Sequence, residues 1–119
     1  MSPIARLVPL CTLSLGMTLV MPAAAEPRKP THVACVGDSI TAGAGASATS
    51  KNYVSLLQAA LGNAVQVKNF GNSGSTMLSE GFGDKPYTKQ AEYTNATTFV
   101  SNAGATAVVS VVIILGAND

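Results

Sequence analysis

Val33-Ala34-Cys35-Val36-Gly37-Asp38-Ser39-Ile40-Thr41 passes from small and apolar residues into a glycine, an aspartate and a serine. Val33 to Val36 has the composition of a buried strand, and Gly37-Asp38-Ser39 that of a sharp turn at its carboxyl end. Open α/β sheets bind their ligands beyond the carboxyl ends of the strands. A serine there is placed for chemistry; a serine in mid-strand is not.

Two later stretches repeat this strand-then-glycine-loop grammar. The first strand, His32 to Val36, is followed by a Gly-, Ala-, Ser- and Thr-rich loop over Asp38 to Ser50, with a short helical turn behind Ser39. Lys51 to Leu61 carries Tyr53, Leu56, Leu57, Ala60 and Leu61 at helical spacing, with Ser50 as the expected N-cap and Gly62 as the stop. In Ala64 to Phe70, Val65 and Val67 alternate with Gln66 and Lys68, which suits a strand near the sheet edge. It closes on Gly71-Asn72-Ser73-Gly74-Ser75-Thr76. Met77 to Tyr87 is expected to be irregular, because Gly81, Gly83 and Pro86 exclude a long helix, and Thr88 to Asn102 to be helical. Ala105 to Leu115 is a nearly unbroken β-branched run of the kind found in parallel strands buried on both faces, and it leads into Gly116-Ala117-Asn118-Asp119. Three such strands with helices between them predict a doubly wound α/β fold, whose right-handed crossovers bring all three loops to one end of the sheet.

Composition narrows the function. The chain has 119 residues, enough for at most one domain, and a formal net charge of +1. A nucleic-acid partner, which needs a basic stripe, is not expected. Residues 1–25 read as a secretory signal peptide: Arg6 is the basic start, Leu7 to Val20 the apolar stretch, and Ala23-Ala24-Ala25 the small-residue cleavage site. The apolar run is shorter than the roughly 20 residues of a spanning helix and holds Pro9, with Pro22 just beyond it, so no stable membrane anchor is expected after cleavage. Large Leu10 before Cys11 disfavours a lipid anchor there. The protein is expected outside the cytoplasm, secreted or periplasmic. Residues 26–31 form a proline-punctuated leader, and 32–119 the domain. The mature part retains a single cysteine, Cys35, expected as a buried core thiol and unable to form an internal disulfide.

The three glycine blocks resemble those of SGNH (GDSL-type) hydrolases. Gly37-Asp38-Ser39-Ile40 is similar to that family's first block, Asn69 to Gly74 to its second, and Gly116-Ala117-Asn118-Asp119 to its third. Each block alone is weak; three in order, each after a strand, are specific. The resemblance implies a serine esterase on a flavodoxin-like three-layer α/β/α sandwich with a parallel sheet in the order 2-1-3-4-5, of which about three of five strands are present here. It implies Ser39 as nucleophile and an oxyanion hole made by the Ser39 and Gly74 backbone N–H groups and the Asn118 side-chain amide. Those residue types suit such a hole, since a tetrahedral intermediate needs fixed donors, glycine permits close backbone approach, and an asparagine amide donates without bringing a charge. A serine after a strand is also a common helix N-cap, and that role is weighed against the nucleophile. Asp38 is expected to stabilise the loop, since adjacent residues rarely converge on one imidazole.

The family's Asp-x-x-His block is absent. The one histidine, His32, begins the first strand; at about 3.3 Å per residue it lies some 20 Å from Ser39 and cannot be its base. One histidine without partners also makes no zinc site, and no metal or cofactor is expected. These 119 residues are therefore expected to be the amino-terminal part of a longer domain, nearly inactive alone, with an open apolar edge at Ala105–Leu115.

Gly83-Asp84-Lys85-Pro86-Tyr87 resembles a stretch of secreted carbohydrate O-acetylesterases. That implies a carbohydrate or other small O-acyl ester as substrate, with Tyr87 stacking on a sugar face and Lys85 meeting its hydroxyls or a carboxylate. A plain surface turn explains the segment equally well. Two rivals remain. Gly43-Ala44-Gly45-Ala46-Ser47-Ala48 fits a loose dinucleotide pattern, but its first glycine comes too late after the strand, and the acidic residue expected near Gly62 is missing. A non-catalytic carbohydrate-binding or vestigial domain on an esterase scaffold accounts for the missing base. Asn95-Ala96-Thr97 is a formal glycosylation sequon; the signal segment and the family resemblance point to a bacterial source, in which it is expected to be unused.

Overall fold

The structure is a computed structural model that describes residues 19–79 and 85–119. The expected signal segment falls largely on 1–18, and Gly81, Gly83 and Asp84 fall on 80–84; both stretches lie outside the described residues. Residues 19–31 have no regular structure. Among the described residues, no helix is long and apolar enough to cross a membrane.

The elements run β1 (His32–Gly37), α1 (Ser39–Ala42), α2 (Tyr53–Leu61), β2 (Gln66–Gly71), α3 (Ala91–Asn102) and β3 (Val109–Ile114). The three strands form a parallel sheet in the order β2-β1-β3, the expected beginning of a doubly wound sheet. Alternation along β1 divides the layers. Val33 and Cys35 face α2, where they pack with Val54 and Val67, and Tyr53, Leu57, Val65 and Val112 close in around them. Ala34 and Val36 face α3 on the other side. Helix, sheet and helix therefore form the three expected layers.

Local chemistry explains most boundaries. Asn52, not Ser50, caps α2: its Oδ1 accepts from the Ser55 N–H at 2.9 Å, while Thr49–Lys51 is a short 3₁₀ turn ahead of the helix. The Asn52 amide also donates to the Thr49 carbonyl at 2.8 Å, so one side chain ends the turn and starts the helix. Helix α2 stops at Gly62, as its sequence predicts, with the Gly62 N–H on the Gln58 carbonyl. Helix α3 begins at Ala91, three residues later than expected, because Tyr87–Lys89 forms a separate 3₁₀ turn.

The Gln58 side chain binds α2 to β2. Its Nε2 reaches the carbonyls of Gly62 and Val65, and its Oε1 accepts from the Val67 N–H, each at 2.9 Å. On the opposite flank β3 lies at the edge of the sheet among the described residues, in keeping with the open apolar edge expected at Ala105–Leu115. The run is a parallel strand; among the described residues it has β1 as its one strand neighbour, and Val111 and Ile113 remain 50% and 60% exposed. A β-branched composition records a strand's fitness for burial; the neighbours decide whether burial occurs.

Candidate active site

Parallel pairing places the carboxyl ends of the strands together: Gly37 is opposite Gly71 on one side and Ile114 on the other. The chain then turns sharply over the sheet end. A Cβ on Gly71 would fall inside the backbone of Thr41 and Ala42, and one on Gly37 would overlap the Thr41 side chain and stand 2.6 Å from the Ile114 carbonyl oxygen. Glycine at both positions lets α1 lie directly on the strand ends.

Asp38 is fully buried and caps α1, its Oδ1 accepting from the Ile40 N–H at 3.0 Å. Its Oδ2 is buried without a partner among the described residues. The expected loop-stabilising role of Asp38 thus has a definite form. Because Asp38 supplies the capping oxygen, Ser39 is the first helical residue and is half-buried at the sheet end; the N-cap alternative for Ser39 falls away.

Backbone and side-chain bonds join the three loops. The Asn72 N–H donates to the Gly37 carbonyl at 2.9 Å, and the Asp38 N–H to the Ile114 carbonyl at 3.2 Å. Asn69, in the second glycine block, turns its amide onto the Thr41 carbonyl at 2.7 Å while its Oδ1 accepts from the Gly71 N–H at 2.8 Å. Asn118 donates from Nδ2 to the Ser75 carbonyl at 3.0 Å, beside Gly74, whose φ of 80° favours glycine. Asp119 accepts from the Met77 N–H at 2.6 Å. The loop after β3 is thereby pinned to the loop after β2. Sequence reasoning missed the bracing roles of Asn69 and Asp119, although both lie in the glycine blocks; a carboxylate or amide among small loop residues is the signal for such a brace.

Beneath the turn, Thr41 Oγ1 and the Tyr53 hydroxyl are 3.0 Å apart. Cys35 is fully buried, as expected of a core thiol. Burial pushes its pKa up, outweighing a hydrogen bond with Tyr53 that lowers it, which leaves the thiol a poor nucleophile.

Lys85 and Tyr87 are not arranged as a sugar platform. Tyr87 is 4% exposed, its hydroxyl donates to the Phe70 carbonyl, and its ring meets Tyr93 edge-on. Burial, and secondarily the charge of Glu92, pushes its pKa up to about 12. An aromatic ring enclosed in this way has no face left for stacking. The Lys85 ammonium donates to the Ser73 carbonyl and so braces the loop that carries Gly74. Sequence alone could not separate these packing roles from binding roles, because Lys and Tyr beside a glycine loop serve both.

The family model "GDSL-like Lipase/Acylhydrolase" matches residues 33–119. An acetylxylan esterase of Xylanibacter ruminicola is 42% identical over 89 residues, which are 74% of this chain and 17% of that protein. The chain thus spans about one sixth of the length of this curated relative. No solved structure matches it.

Proposed function

The chain belongs to the GDSL-like lipase/acylhydrolase family, and on that footing we propose that the protein is an exported serine esterase that removes O-acyl, specifically O-acetyl, groups from carbohydrates. In this reading Ser39 Oγ attacks the ester carbonyl, the acyl C–O bond to the sugar breaks, and the sugar leaves as a free hydroxyl carrying the proton that the serine gave up. The Ser39 and Gly74 N–H groups and the Asn118 amide receive the developing oxyanion. The acyl-serine formed is then hydrolysed by water. The observation that carries the reading is the pinning of Asn118 beside Gly74, through the Ser75 carbonyl, at the sheet end where Ser39 opens α1. One N–H of the Asn118 amide is spent on that carbonyl, and the second remains for substrate. The identity to an acetylxylan esterase supports the acetyl and carbohydrate parts of the proposal. The apolar stretch Leu7 to Val20 and Ala23-Ala24-Ala25 support export.

The proton of Ser39 needs an acceptor within about 3 Å, and His32 stands at the far end of β1. The proposed base is an imidazole from outside these 119 residues. The test is labelling of the full-length protein with a fluorophosphonate, together with acetate release from acetylated xylan. Labelling that Ser39→Ala abolishes, and an Asn118→Ala variant slowed about 10²–10³-fold in kcat, are expected. A folded full-length protein that takes no label would overturn the esterase reading. Equal turnover of acetyl and octanoyl esters would remove the acetyl preference.

A further inference from the structure

Helix α3 lies over the middle of the sheet and leaves a furrow on its β2 side. This furrow has a volume of about 430 Å³ and is floored by His32, Gln66, Lys68 and Phe70. Its helical wall carries Asn95, Phe99 and Asn102. That volume lies in the range of small-ligand sites, roughly 300–1,000 Å³. Phe99 is central: its ring centroid is 5.4 Å from that of His32 and 5.6 Å from that of Phe70, and both phenylalanines are half-buried. Around this aromatic floor the polar groups are unspent. The side chains of Gln66, Lys68, Asn95 and Asn102 are exposed and engage no partner among the described residues. Gln66 and Phe70, four residues apart on β2, set a length of about 13 Å.

We propose that this furrow binds a neutral oligosaccharide chain, as an anchoring subsite separate from the Ser39 end of the sheet. Apolar ring faces flanked by amide groups that both donate and accept match a pyranose, which has apolar C–H faces and a rim of hydroxyls. A single lysine and no other firmly charged group in the furrow argue for a neutral ligand over a multiply charged one. The choice of a xylan chain as ligand rests on the esterase reading; the furrow itself does not. The arrangement also gives the sugar-contacting role, which enclosed Tyr87 cannot fill, to Phe99.

The test is a titration of the full-length protein with xylohexaose followed by ¹⁵N–¹H NMR, which reads binding without turnover. Shifts confined to His32 and to the β2 and α3 residues of the furrow are expected. Gln66→Ala and Asn102→Ala, both at exposed positions, should each weaken binding about fivefold, as expected for one lost hydrogen bond, with the remaining spectrum unchanged. Phe99→Ala should abolish binding, and Phe99→Tyr, which keeps the ring, should retain it. Ser39→Ala should bind like the parent, which separates this subsite from the reaction. Absence of shifts, or unaltered affinity in both alanine variants, overturns the proposal even if acetate release is found. Preference for a polyanionic oligosaccharide such as heparin hexasaccharide overturns its neutral character. Binding by a full-length parent protein that takes no fluorophosphonate label leaves the subsite standing and the esterase reading fallen.

Discussion

The two flanks of α3 are built on the same backbone register and differ in chemistry. Ala34 in β1 has Lys68 as its partner on β2 and Val111 on β3; two residues later Val36 has Phe70 and Ile113. The α3-facing side of the sheet is therefore half polar and aromatic on the β2 flank and wholly apolar on the β3 flank. On the apolar flank a second furrow of about 470 Å³ lies between β3 and α3, lined by Val111, Ile113 and Leu115 and by Met77 from the pinned loop. The difference teaches that exposure has two meanings here. Polar residues on the β2 side are at rest in water, whereas about half of the Val111 side chain stays in contact with water at a continuing free-energy cost.

The glycines where the flanks meet should be the most sensitive points. Gly71→Ala would force a Cβ into the Thr41–Ala42 backbone, which has no flexible side chain to yield. A loss of about 3 kcal/mol or more is expected in urea denaturation. Gly45→Ala, where a Cβ meets nothing within 4 Å, should cost only the strain of its φ of 80°, about 1 kcal/mol. Equal losses in the two variants would mean that close approach at the strand ends is not what demands glycine.

Next in size is the clamp on the polar flank. Gln58→Ala removes one hydrogen bond to the α2 C-cap, Gly62, and two to Val65 and Val67 at the start of β2, and leaves the Val67 N–H without its acceptor. A loss of about 2 kcal/mol is expected, with the earliest hydrogen-exchange opening in β2. First opening in β3 instead would show that the apolar flank is the weaker one even in the presence of the clamp.

Much of this architecture was legible in the sequence, and the limits have physical causes. The three glycine-closed strands, their parallel direction and the burial of Cys35 follow from composition and alternation, whereas the strand order is what the family resemblance implies. The sidedness of β1 does not, because Val33, Ala34, Cys35 and Val36 are all apolar and only packing assigns them to α2 or α3. Ser50 and Asn52 are equally good caps in isolation; the 3₁₀ turn over Thr49–Lys51 decides for Asn52. At the candidate site, the resemblance of the glycine blocks to those of the family is what singles out Ser39, Gly74 and Asn118. The braces made by Lys85 and Tyr87 were not, since they depend on contacts with Ser73 and Phe70 that close only in three dimensions.

Tyr87 provides a titration that sharpens the comparison, since it sits at the head of the apolar furrow and bonds to Phe70 of the polar flank. Its folded pKa, about 12, stands above the ordinary tyrosine value of 10.0 because burial disfavours the phenolate. The folded state therefore holds the proton after the unfolded chain has released it. The contribution to stability is complete below about pH 10 and is lost as pH rises toward about 12. Tyr87→Phe should cost about 1 kcal/mol at neutral pH, through the lost hydrogen bond, and should flatten the alkaline limb of the stability curve. A parent and variant with parallel alkaline limbs would place the titration elsewhere.

The smallest change in stability should come from exchanging the two flanks at one register. Val111→Lys places an ammonium at an exposed position of the β3 flank, and Lys68→Val places an apolar group at the exposed mirror position on β2. Neither side chain is enclosed, so each variant should lie within about 0.5 kcal/mol of the parent. Their association should move in opposite directions. Val111→Lys interrupts the apolar furrow beside a strand edge that has no partner among the described residues and should lower self-association in light scattering, as edge lysines do in natural sheets. Lys68→Val removes the lysine from the other edge and should raise it. If Val111→Lys unfolds the chain, Val111 is already packed and the contrast between the flanks is false. If both variants associate like the parent, self-association does not run through the furrow faces.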